Sequence, residues 1–239
     1  MAIHPTHQEE EKLVRGFFGG ETGFFVEVGA NHPTDGSQTW HLEQTGWTGV
    51  LVEPQPDLAA FLTTARKAKV FATACSSPQN AGQSLTLHVD GARSALDRDR
   101  MAPGAEAAYT ILVPVRTLDS ILEEAEAPIP IDLLSVDVEG HETEVLSGFD
   151  FRRWQPFLIL VEDHVGHLRT HRFLKASGYK LVRRIGNNGW YVPADEPIGM
   201  STAHRWEILR KYYLALPFRW LRNVSRRVRR AYADWWAGR

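Results

Sequence analysis

The chain has 239 residues, of which 43% are hydrophobic and 23% are charged, and its formal net charge is −2. This length and composition suit one globular domain with a sizeable core and exclude a low-complexity protein. Cys75 is the sole cysteine, which excludes an intrachain disulfide and fits a reducing compartment. No apolar run reaches the ~18 residues of a membrane-spanning helix, and the polar residues 1–11 do not resemble a signal peptide. We therefore expect a cytoplasmic protein.

Charge is divided unevenly along the chain. Residues 204–239 hold ten Lys and Arg against two acids, a net charge of +8, so the remainder carries −10. We accordingly predict an N-terminal helical segment (1–21), an acidic main domain (22–200) and a basic, aromatic-rich helical tail (201–239).

The first half of the chain alternates between predicted helices and apolar runs that read as buried strands. Residues 91–108 are small, charged and turn-rich, and predict a mobile loop. Within it, Arg93 and Ser94 could close over a substrate, or they could belong to a solvated loop. We favour the solvated loop. In chain order we expect a docking helix (9–18), a strand (24–28), a helix (37–44) capped by Ser37, a strand (49–53), a helix (57–67), a strand (70–75) and two half-exposed strands (85–89 and 111–115).

The second half continues the same alternation, which implies right-handed crossovers and a mostly parallel sheet. The Asn-Gly pair within Asn187-Asn188-Gly189 predicts the turn of a closing hairpin. The expected elements are a helix (118–126), a strand (131–137), a helix (142–146) ended by Gly148, a strand (157–161), a helix (165–177) and the hairpin strands (179–185 and 190–192).

Acidic residues end several of the predicted strands. They are Glu27, Glu53, Asp137, Glu162 and Asp163. Because the carboxyl ends of parallel strands share one edge of a sheet, these acids predict a ligand site there. The alternative is that they only cap the following helices, which explains one or two of them.

The spacing of two residues suggests what the ligand is. Gly29 follows the first strand, and Glu53 comes 24 positions later, at the end of the second. A glycine lets the backbone approach a ligand closely, and an acid at about this distance can accept both hydroxyls of a ribose. This stretch therefore predicts an adenosine-type ligand. A Rossmann dehydrogenase is a competing interpretation, but the spaced triple-glycine fingerprint is missing.

Four segments resemble the FkbM family of S-adenosylmethionine-dependent methyltransferases: Glu27–Asn31, Val52–Pro54, Val115–Asp119 and Ile131–Glu142. The last, with its Asp-Val-Glu-Gly-His-Glu run, is the most specific. The resemblance implies an α/β protein with a Rossmann-like, seven-stranded, mostly parallel sheet (the class I methyltransferase fold) whose last hairpin is antiparallel. One departure is that four residues, 32–35, separate Asn31 from Gly36, whereas family members often have a glycine two residues after the Asn, so the loop over the cofactor is longer here.

The resemblance also implies a binding site for S-adenosylmethionine. Glu27 would lie beneath the methionine part, Glu53 would accept the ribose hydroxyls, and Asp137 would face the sulfonium. Ala74 or Cys75 would border the adenine. The full set of implied cofactor-binding residues is Glu27, Gly29, Ala30, Asn31, Ser37, Glu53, Pro54, Ala74, Cys75 and Asp137.

The implied reaction is methyl transfer to a hydroxyl, for which the candidate catalytic residues are Asp137, Glu139, His141 and His164. In one version Asp137, with Glu162 or Asp163, holds Mg²⁺, as acids at these places do in catechol-type O-methyltransferases, and the metal lowers the pKa of the acceptor hydroxyl. In a metal-free version His164 or His141 is the general base. The alternative is that these histidines only pair with neighbouring acids.

The tail combines arginines with aromatic residues, which suits an anionic membrane surface. We expect peripheral contact through residues 204–239 at the inner face of the membrane, with packing on the main domain or a homo-oligomer contact as alternatives. Nucleic acid is disfavoured because no nucleic-acid-binding motif accompanies the charge.

The acceptor is not fixed by these residues. We expect a sugar hydroxyl of a glycolipid or cell-surface glycan precursor. The alternatives are a polyketide or other natural product, an RNA, and a noncatalytic module that binds the cofactor and interacts with a partner.

Overall fold

The computed structural model describes residues 5–90, 94–96, 108–163, 168–215, 217–218 and 224–225. The helices are α1 (Pro5–Phe17), α2 (Trp40–Glu43), α3 (Pro56–Ala65), α4 (Leu118–Ala125), α5 (Glu142–Ser147), α6 (Phe151–Trp154), α7 (Arg169–Ala176), α8 (Thr202–Ile208) and a π-helix (Leu209–Leu214). The strands are β1 (Phe24–Val28), β2 (Thr48–Val52), β3 (Lys69–Phe71), β4 (Ala74–Cys75), β5 (Ser84–Val89), β6 (Tyr109–Arg116), β7 (Leu133–Val136), β8 (Leu158–Glu162), β9 (Tyr179–Ile185) and β10 (Asn188–Pro193). No helix among the described residues is long and apolar enough to cross a membrane.

Seven strands form the main sheet, in the order β3-β2-β1-β7-β8-β10-β9. The neighbours from β3 to β8 are all parallel, and β10 runs antiparallel to both β8 and β9. This arrangement confirms the predicted seven-stranded, mostly parallel sheet with an antiparallel final hairpin. The carboxyl ends of β1, β2, β7 and β8 therefore open at one edge.

Both faces of the main sheet are covered, which explains why its central strands read as continuous apolar runs. Successive residues of a strand point to opposite faces. In β1, Val26 packs in the core that contains Leu118 of α4, whereas Phe25 packs in the core that contains Val14 of α1 and Leu62 of α3.

The docking helix predicted near residues 9–18 is present as α1, which begins earlier than expected. Val14 is fully buried, and the Phe17 ring contacts the Trp190 ring edge-on, with the ring centroids 6.2 Å apart. Phe18, just after the helix, contacts Trp47 in the same way at 4.8 Å. Aromatic packing of this kind fixes α1 against β10 and the segment before β2.

The apolar run 70–75 was predicted as one strand, and this prediction is wrong. The chain bends after Phe71, where the Thr73 amide donates back to the Phe71 carbonyl at 3.0 Å. Thr73 Oγ1 then donates to the carbonyl of Pro114 at 2.8 Å. As a result β3 stays in the main sheet, while β4 joins a second sheet of order β4-β6-β5. The two strands predicted at 85–89 and 111–115 form the rest of that second sheet.

The closing hairpin is present, but its turn is not at the predicted Asn-Gly pair. Asn188 already pairs with Ile185, so the two turn residues are Gly186 and Asn187. Gly186 has φ +54°, in the left-handed region that glycine adopts without strain. Strand pairing therefore places Gly189 within β10 rather than in the turn.

One predicted helix differs in extent from the observed one. The helix expected over residues 37–44 is reduced to α2, although Ser37 Oγ does accept the Trp40 amide at 3.1 Å. In the tail, α8 and the π-helix cover 202–214, and Trp206, Tyr213, Leu214 and Phe218 are exposed. Most of the remaining tail lies outside the described residues.

Candidate functional site

A cleft opens at the carboxyl edge of the main sheet, between that edge and the second sheet. The cleft has a cavity volume of about 60 Å³, and all of the space between its walls, including the open mouth, amounts to about 560 Å³. A nucleoside-sized ligand would therefore extend to the mouth. The lining residues are Val28, Gly29, Asn31, Val52, Glu53, Pro54, Gln55, Thr73, Ala74, Cys75, Leu87, Ser94, Leu96, Asp137, Val138 and Glu139.

Gly29 brings β1 and β7 together at the floor of this cleft. Its φ is +84°, and a Cβ added there would lie 1.8 Å from the carbonyl oxygen of Asp137. No side chain can fit so close to a backbone atom. The Gly29 amide also donates to the Val52 carbonyl at 2.9 Å, which ties the floor to β2. Gly29 is thus required both for its conformation and for the close approach of Asp137.

Glu53 is buried in the cleft wall, with 3% of its surface exposed. One carboxylate oxygen accepts the Asn31 amide at 2.8 Å and the other accepts the Gln55 amide at 2.9 Å. Burial raises the pKa of Glu53, and the two amides oppose that rise. Because each carboxylate oxygen can accept a second hydrogen bond, the residue remains able to receive a pair of hydroxyls.

The opposite part of the cleft is mainly apolar and includes Leu87 and Leu96 of the second sheet region. Burial raises the pKa of the Cys75 thiol to about 12, so it stays protonated and serves as an apolar wall. Ser94 is held in the lining, where its hydroxyl accepts from Gln55 Nε2 at 3.3 Å and from the Asp90 amide at 3.0 Å. Ser94 therefore lines the cleft, contrary to the solvated-loop interpretation that was favoured; Arg93 lies outside the described residues.

Asp137, just after β7, is hydrogen-bonded to Glu162 at the end of β8. Carboxylate oxygens of Asp137, Glu139 and Glu162 all lie within 4.8 Å of one another. Burial, followed by the charges of Glu162, Glu139 and Glu142, raises the pKa of Asp137 well above its ordinary value. Solvent still reaches Asp137 through the cleft, so we give the neighbouring carboxylates the greater weight.

The loop that follows β1 is held by a buried polar network. The Glu27 carboxylate accepts Ser37 Oγ at 3.0 Å, the Gln38 amide at 2.7 Å and Thr39 Oγ1 at 2.5 Å. Arg66 lies 3.9 Å from Glu27. Burial raises the pKa of Glu27, and these partners oppose that rise. The network fixes the loop that carries Asn31 to the cleft.

Arg66 connects this network to α2 and the loop. Its guanidinium donates to Glu43 at 3.2 Å, to Thr39 Oγ1 at 2.9 Å, to Ser37 Oγ at 3.1 Å and to the Pro33 carbonyl at 3.0 Å. Its side chain is fully buried. Sequence reasoning did not single out Arg66, since a lone arginine at a helix end gives no signal of burial.

Of the ten residues predicted to bind the cofactor, seven line the cleft: Gly29, Asn31, Glu53, Pro54, Ala74, Cys75 and Asp137. Three do not. Glu27 and Ser37 belong to the network beneath the loop, and Ala30 is buried in the core around Phe25. Their contribution is to shape the loop rather than to line the cleft.

The other predicted residues are divided. Glu139 lines the cleft, but His141 lies outside the lining, with Nε2 2.9 Å from Ser76 Oγ. Asp163 does not join the carboxylate group of Asp137, because successive residues at a strand end point to opposite sides. His164 lies outside the described residues.

Seven lining residues were not predicted as site residues: Val28, Val52, Gln55, Thr73, Leu87, Leu96 and Val138. Gln55 follows Glu53-Pro54 at the end of β2, so its position after a strand was an available signal. Leu87 and Leu96 had no such signal, because only the folding of the second sheet over the cleft brings them there.

Residues 27–181 match the family model described as the Methyltransferase FkbM domain. The chain belongs to the FkbM methyltransferase family. The matched region contains every residue that lines the cleft. No curated protein matches the chain.

Solved structures of several methyltransferases are similar to this chain at low identity. The methyltransferase FkbM from Methylobacillus flagellatus has 13% identity and a TM-score of 0.47, over 72% of this chain and 43% of that one. The O-methyltransferase from Bacillus cereus in complex with SAH has 15% identity and a TM-score of 0.42, over 80% and 82%. The precorrin-6y C5,15-methyltransferase from Geobacter metallireducens has 11% identity and a TM-score of 0.41, over 80% of this chain and 91% of that one. The chain thus spans less than half the length of the Methylobacillus FkbM protein.

Proposed function

We propose that this FkbM-family chain is an S-adenosylmethionine-dependent O-methyltransferase. The observation that carries the proposal is the carboxylate pair Asp137–Glu162, which ends two adjacent strands at the cleft that Gly29 and Glu53 define. A carboxylate whose pKa is raised is a stronger base, so Asp137 can take the proton of a hydroxyl group placed beside it.

The lining of the cleft fits the cofactor part by part. The apolar wall around Cys75, Leu87 and Leu96 suits an adenine, and Glu53 can accept the ribose hydroxyls. Asp137 and Glu139 supply negative charge at the far end, where a sulfonium is favoured. S-adenosylmethionine, when bound, supplies an activated methyl group.

The transfer requires little from the protein beyond alignment and removal of one proton. Held by Glu53, Asp137 and Glu139, S-adenosylmethionine would supply its methyl group to the acceptor oxygen and would leave as S-adenosylhomocysteine. The acceptor proton passes to the carboxylate of Asp137. Glu162, hydrogen-bonded to Asp137, positions it for this step.

A metal-assisted version uses the same residues differently. Carboxylate oxygens of Asp137, Glu139 and Glu162 are close enough together to hold one divalent cation. Carboxylate oxygens are the ligands that Mg²⁺ prefers, and a bound cation would lower the pKa of the acceptor hydroxyl. This set keeps Asp137 and Glu162, one of the pairs expected from the sequence, and adds Glu139.

The acceptor that we propose is a hydroxyl of a sugar, in a glycolipid or a cell-surface glycan precursor. Hydroxyl acceptors of natural products are the alternative class. A methyl-transfer assay with labelled S-adenosylmethionine and a panel of glycans, glycolipids and polyketides, with and without EDTA and Mg²⁺, tests both. Activity that EDTA leaves unchanged excludes the metal-assisted version.

The noncatalytic alternative gives a different result in the same assay. It predicts that S-adenosylhomocysteine binds, that no acceptor is methylated, and that Asp137→Ala changes nothing measurable. Methylation of any acceptor, lost in Asp137→Ala, excludes it.

The tail supports a proposed contact with an anionic membrane surface. Trp206, Leu209 and Tyr213 are exposed at the three- and four-residue spacing that places them along one side of the helix, and exposed Arg205 and Arg210 adjoin them. Exposed aromatic and basic residues in this arrangement favour the lipid interface. Flotation with phosphatidylglycerol vesicles should recover the full chain but not a chain ending at residue 202. Equal flotation of the two would refute the contact.

A further inference from the structure

A second cavity of about 140 Å³ adjoins the cofactor cleft, and Asp137 lines both. This volume holds several waters or a few hydroxyl groups of a larger ligand, whose remainder can extend to solvent because the cavity is open. The polar lining consists of three carboxylates and three amides: Glu10, Gln38, Asp137, Glu162, Asn187 and Asn188. The cavity thus begins at the carboxylate pair and extends towards the N-terminal helix and the closing hairpin.

Glu10 of α1 is fixed in this wall by two hydrogen bonds. One carboxylate oxygen accepts Trp190 Nε1 at 2.8 Å and the other accepts Asn188 Nδ2 at 2.7 Å. Only 3% of Glu10 is exposed, although its neighbour Glu9 on the same helix is exposed to solvent. A carboxylate that accepts two such bonds is held in one orientation, and it orients the Asn188 amide in turn.

Half of this polar lining comes from outside the region that matches the family. The match covers residues 27–181, whereas Glu10, Asn187 and Asn188 lie before or after it. The N-terminal helix and the hairpin turn therefore build a wall from segments that the family model does not include. Specificity for the acceptor is an expected role for such flanking segments.

We propose that the second cavity binds the methyl acceptor, that Glu10 is one of its specificity-determining residues, and that the acceptor is an uncharged, sugar-like polyol rather than an anionic one. This proposal rests on the proposed methyl-transfer function. Hydroxyl groups donate to carboxylates and both donate to and accept from amides, so this lining can satisfy several of them at once. An anionic acceptor would add a further negative charge beside Glu10, Asp137 and Glu162, which Coulomb repulsion disfavours.

Binding to the protein saturated with S-adenosylhomocysteine tests the proposal directly. The probes are methyl glycosides of neutral hexoses and 6-deoxyhexoses, each compared with a methyl glycoside of a uronic acid by saturation-transfer NMR. At least one neutral glycoside should bind, and the uronic acid should bind about tenfold more weakly. Absence of binding by every neutral glycoside, or equal binding of the uronic acid, would overturn the proposal.

Variants of α1 test the part played by Glu10. Glu10→Gln keeps the size but loses one acceptor, and we expect it to weaken glycoside binding about tenfold while the affinity for S-adenosylhomocysteine stays within about twofold. The matched control Glu9→Gln removes the same charge from the exposed neighbour and should bind like the wild type. Unchanged glycoside binding in Glu10→Gln would refute the role of this residue.

A second variant covers the case in which Glu10→Gln disturbs folding. Gln38→Leu removes the side-chain amide from the lining but keeps the hydrogen bond that the backbone N–H of residue 38 donates to Glu27. The variant should weaken glycoside binding and leave S-adenosylhomocysteine binding intact. Glycoside binding at the wild-type level in Gln38→Leu would contradict the assignment of the second cavity as the acceptor site. If wild-type protein binds no S-adenosylhomocysteine, the proposed function itself fails; if it binds the cofactor product but no neutral glycoside, only the acceptor proposal fails.

Discussion

Asp137 and Glu162 lie side by side at the carboxyl ends of the parallel strands β7 and β8, and their carboxyl groups are hydrogen-bonded at the edge where the cofactor cleft opens. The charge of Glu162 and its hydrogen bond to Asp137 add to the rise in the pKa of Asp137, so Asp137 retains its proton to a higher pH. This relationship links the fold to the proposed chemistry, because the sheet order alone makes the two strand ends neighbours.

Asp137→Asn should lower the rate of methyl transfer by roughly 10²- to 10⁴-fold, since the amide cannot take the acceptor proton. Binding of S-adenosylhomocysteine should change by no more than a few-fold. Single-turnover assays with labelled donor measure the first effect and calorimetry measures the second. Asp35→Asn, in the exposed loop after β1, is the control; retention of the full rate in Asp137→Asn would remove this residue from the mechanism.

Glu162→Gln should move the acidic limb of the pH–rate profile to lower pH. Glu162 helps to raise the pKa of Asp137, so without its charge Asp137 loses its proton at a lower pH and is active as a base there. The maximal rate should fall because Asp137 becomes a weaker base. Profiles of kcat for the wild type, Glu162→Gln and the exposed control Glu126→Gln test this. A limb that stays in place or moves to higher pH would contradict the assignment.

The sequence predicted the main sheet and the cofactor edge well, because buried parallel strands leave a strong apolar signal and Gly29, Glu53 and Asp137 stand directly at their ends. It predicted less well where one residue changes the path of the chain. Thr73 divides an apolar run between two sheets, and strand pairing shifts the hairpin turn to Gly186 and Asn187. Local composition does not encode either choice.

Contacts between distant segments were the other limit of sequence reasoning. Glu10 is 180 positions from Trp190, and Arg66 is 23 positions from Glu43, so neither pair forms a local pattern. Glu27 shows the same limit in reverse. Its place near the end of β1 suggested contact with the cofactor, but Arg66 and the hydroxyls of the loop bind its carboxylate instead.

Arg66→Met should destabilise the protein by about 3–5 kcal/mol, because it leaves the buried carboxylates of Glu27 and Glu43 without their cation. Urea unfolding followed by circular dichroism measures the change. Arg152→Met, on the exposed side of α6, should have an effect of less than about 0.5 kcal/mol. Equal stability of the two variants would show that the Arg66 network is not important for folding.

Glu142→Gln should stabilise the protein at neutral and alkaline pH. Burial raises the pKa of Glu142 to about 7, so the folded state binds its proton more tightly than the unfolded state does. The free energy of unfolding therefore falls as the pH rises from about 4.5, the pKa in the unfolded state, to about 7, the pKa in the folded state, and it falls no further at higher pH.

Glutamine keeps the acceptor for the Gly140 amide, which donates to Glu142 at 2.6 Å, and removes the buried charge. The gain should be at most about 3 kcal/mol at pH 8 and close to zero at pH 4. Unfolding curves at both pH values, with the exposed Glu21→Gln as control, give the comparison. A gain that is equal at the two pH values would show that ionisation of Glu142 is not its cause.

The cofactor cleft itself is tested most directly by calorimetric titration of the full chain with S-adenosylhomocysteine. We predict one binding site per chain, an affinity about tenfold or more weaker in Glu53→Gln, where one carboxylate oxygen is lost to the ribose, and unchanged affinity in the exposed control Glu21→Gln. Absence of binding to the wild type, or equal affinity in Glu53→Gln, would contradict the assignment of this cleft.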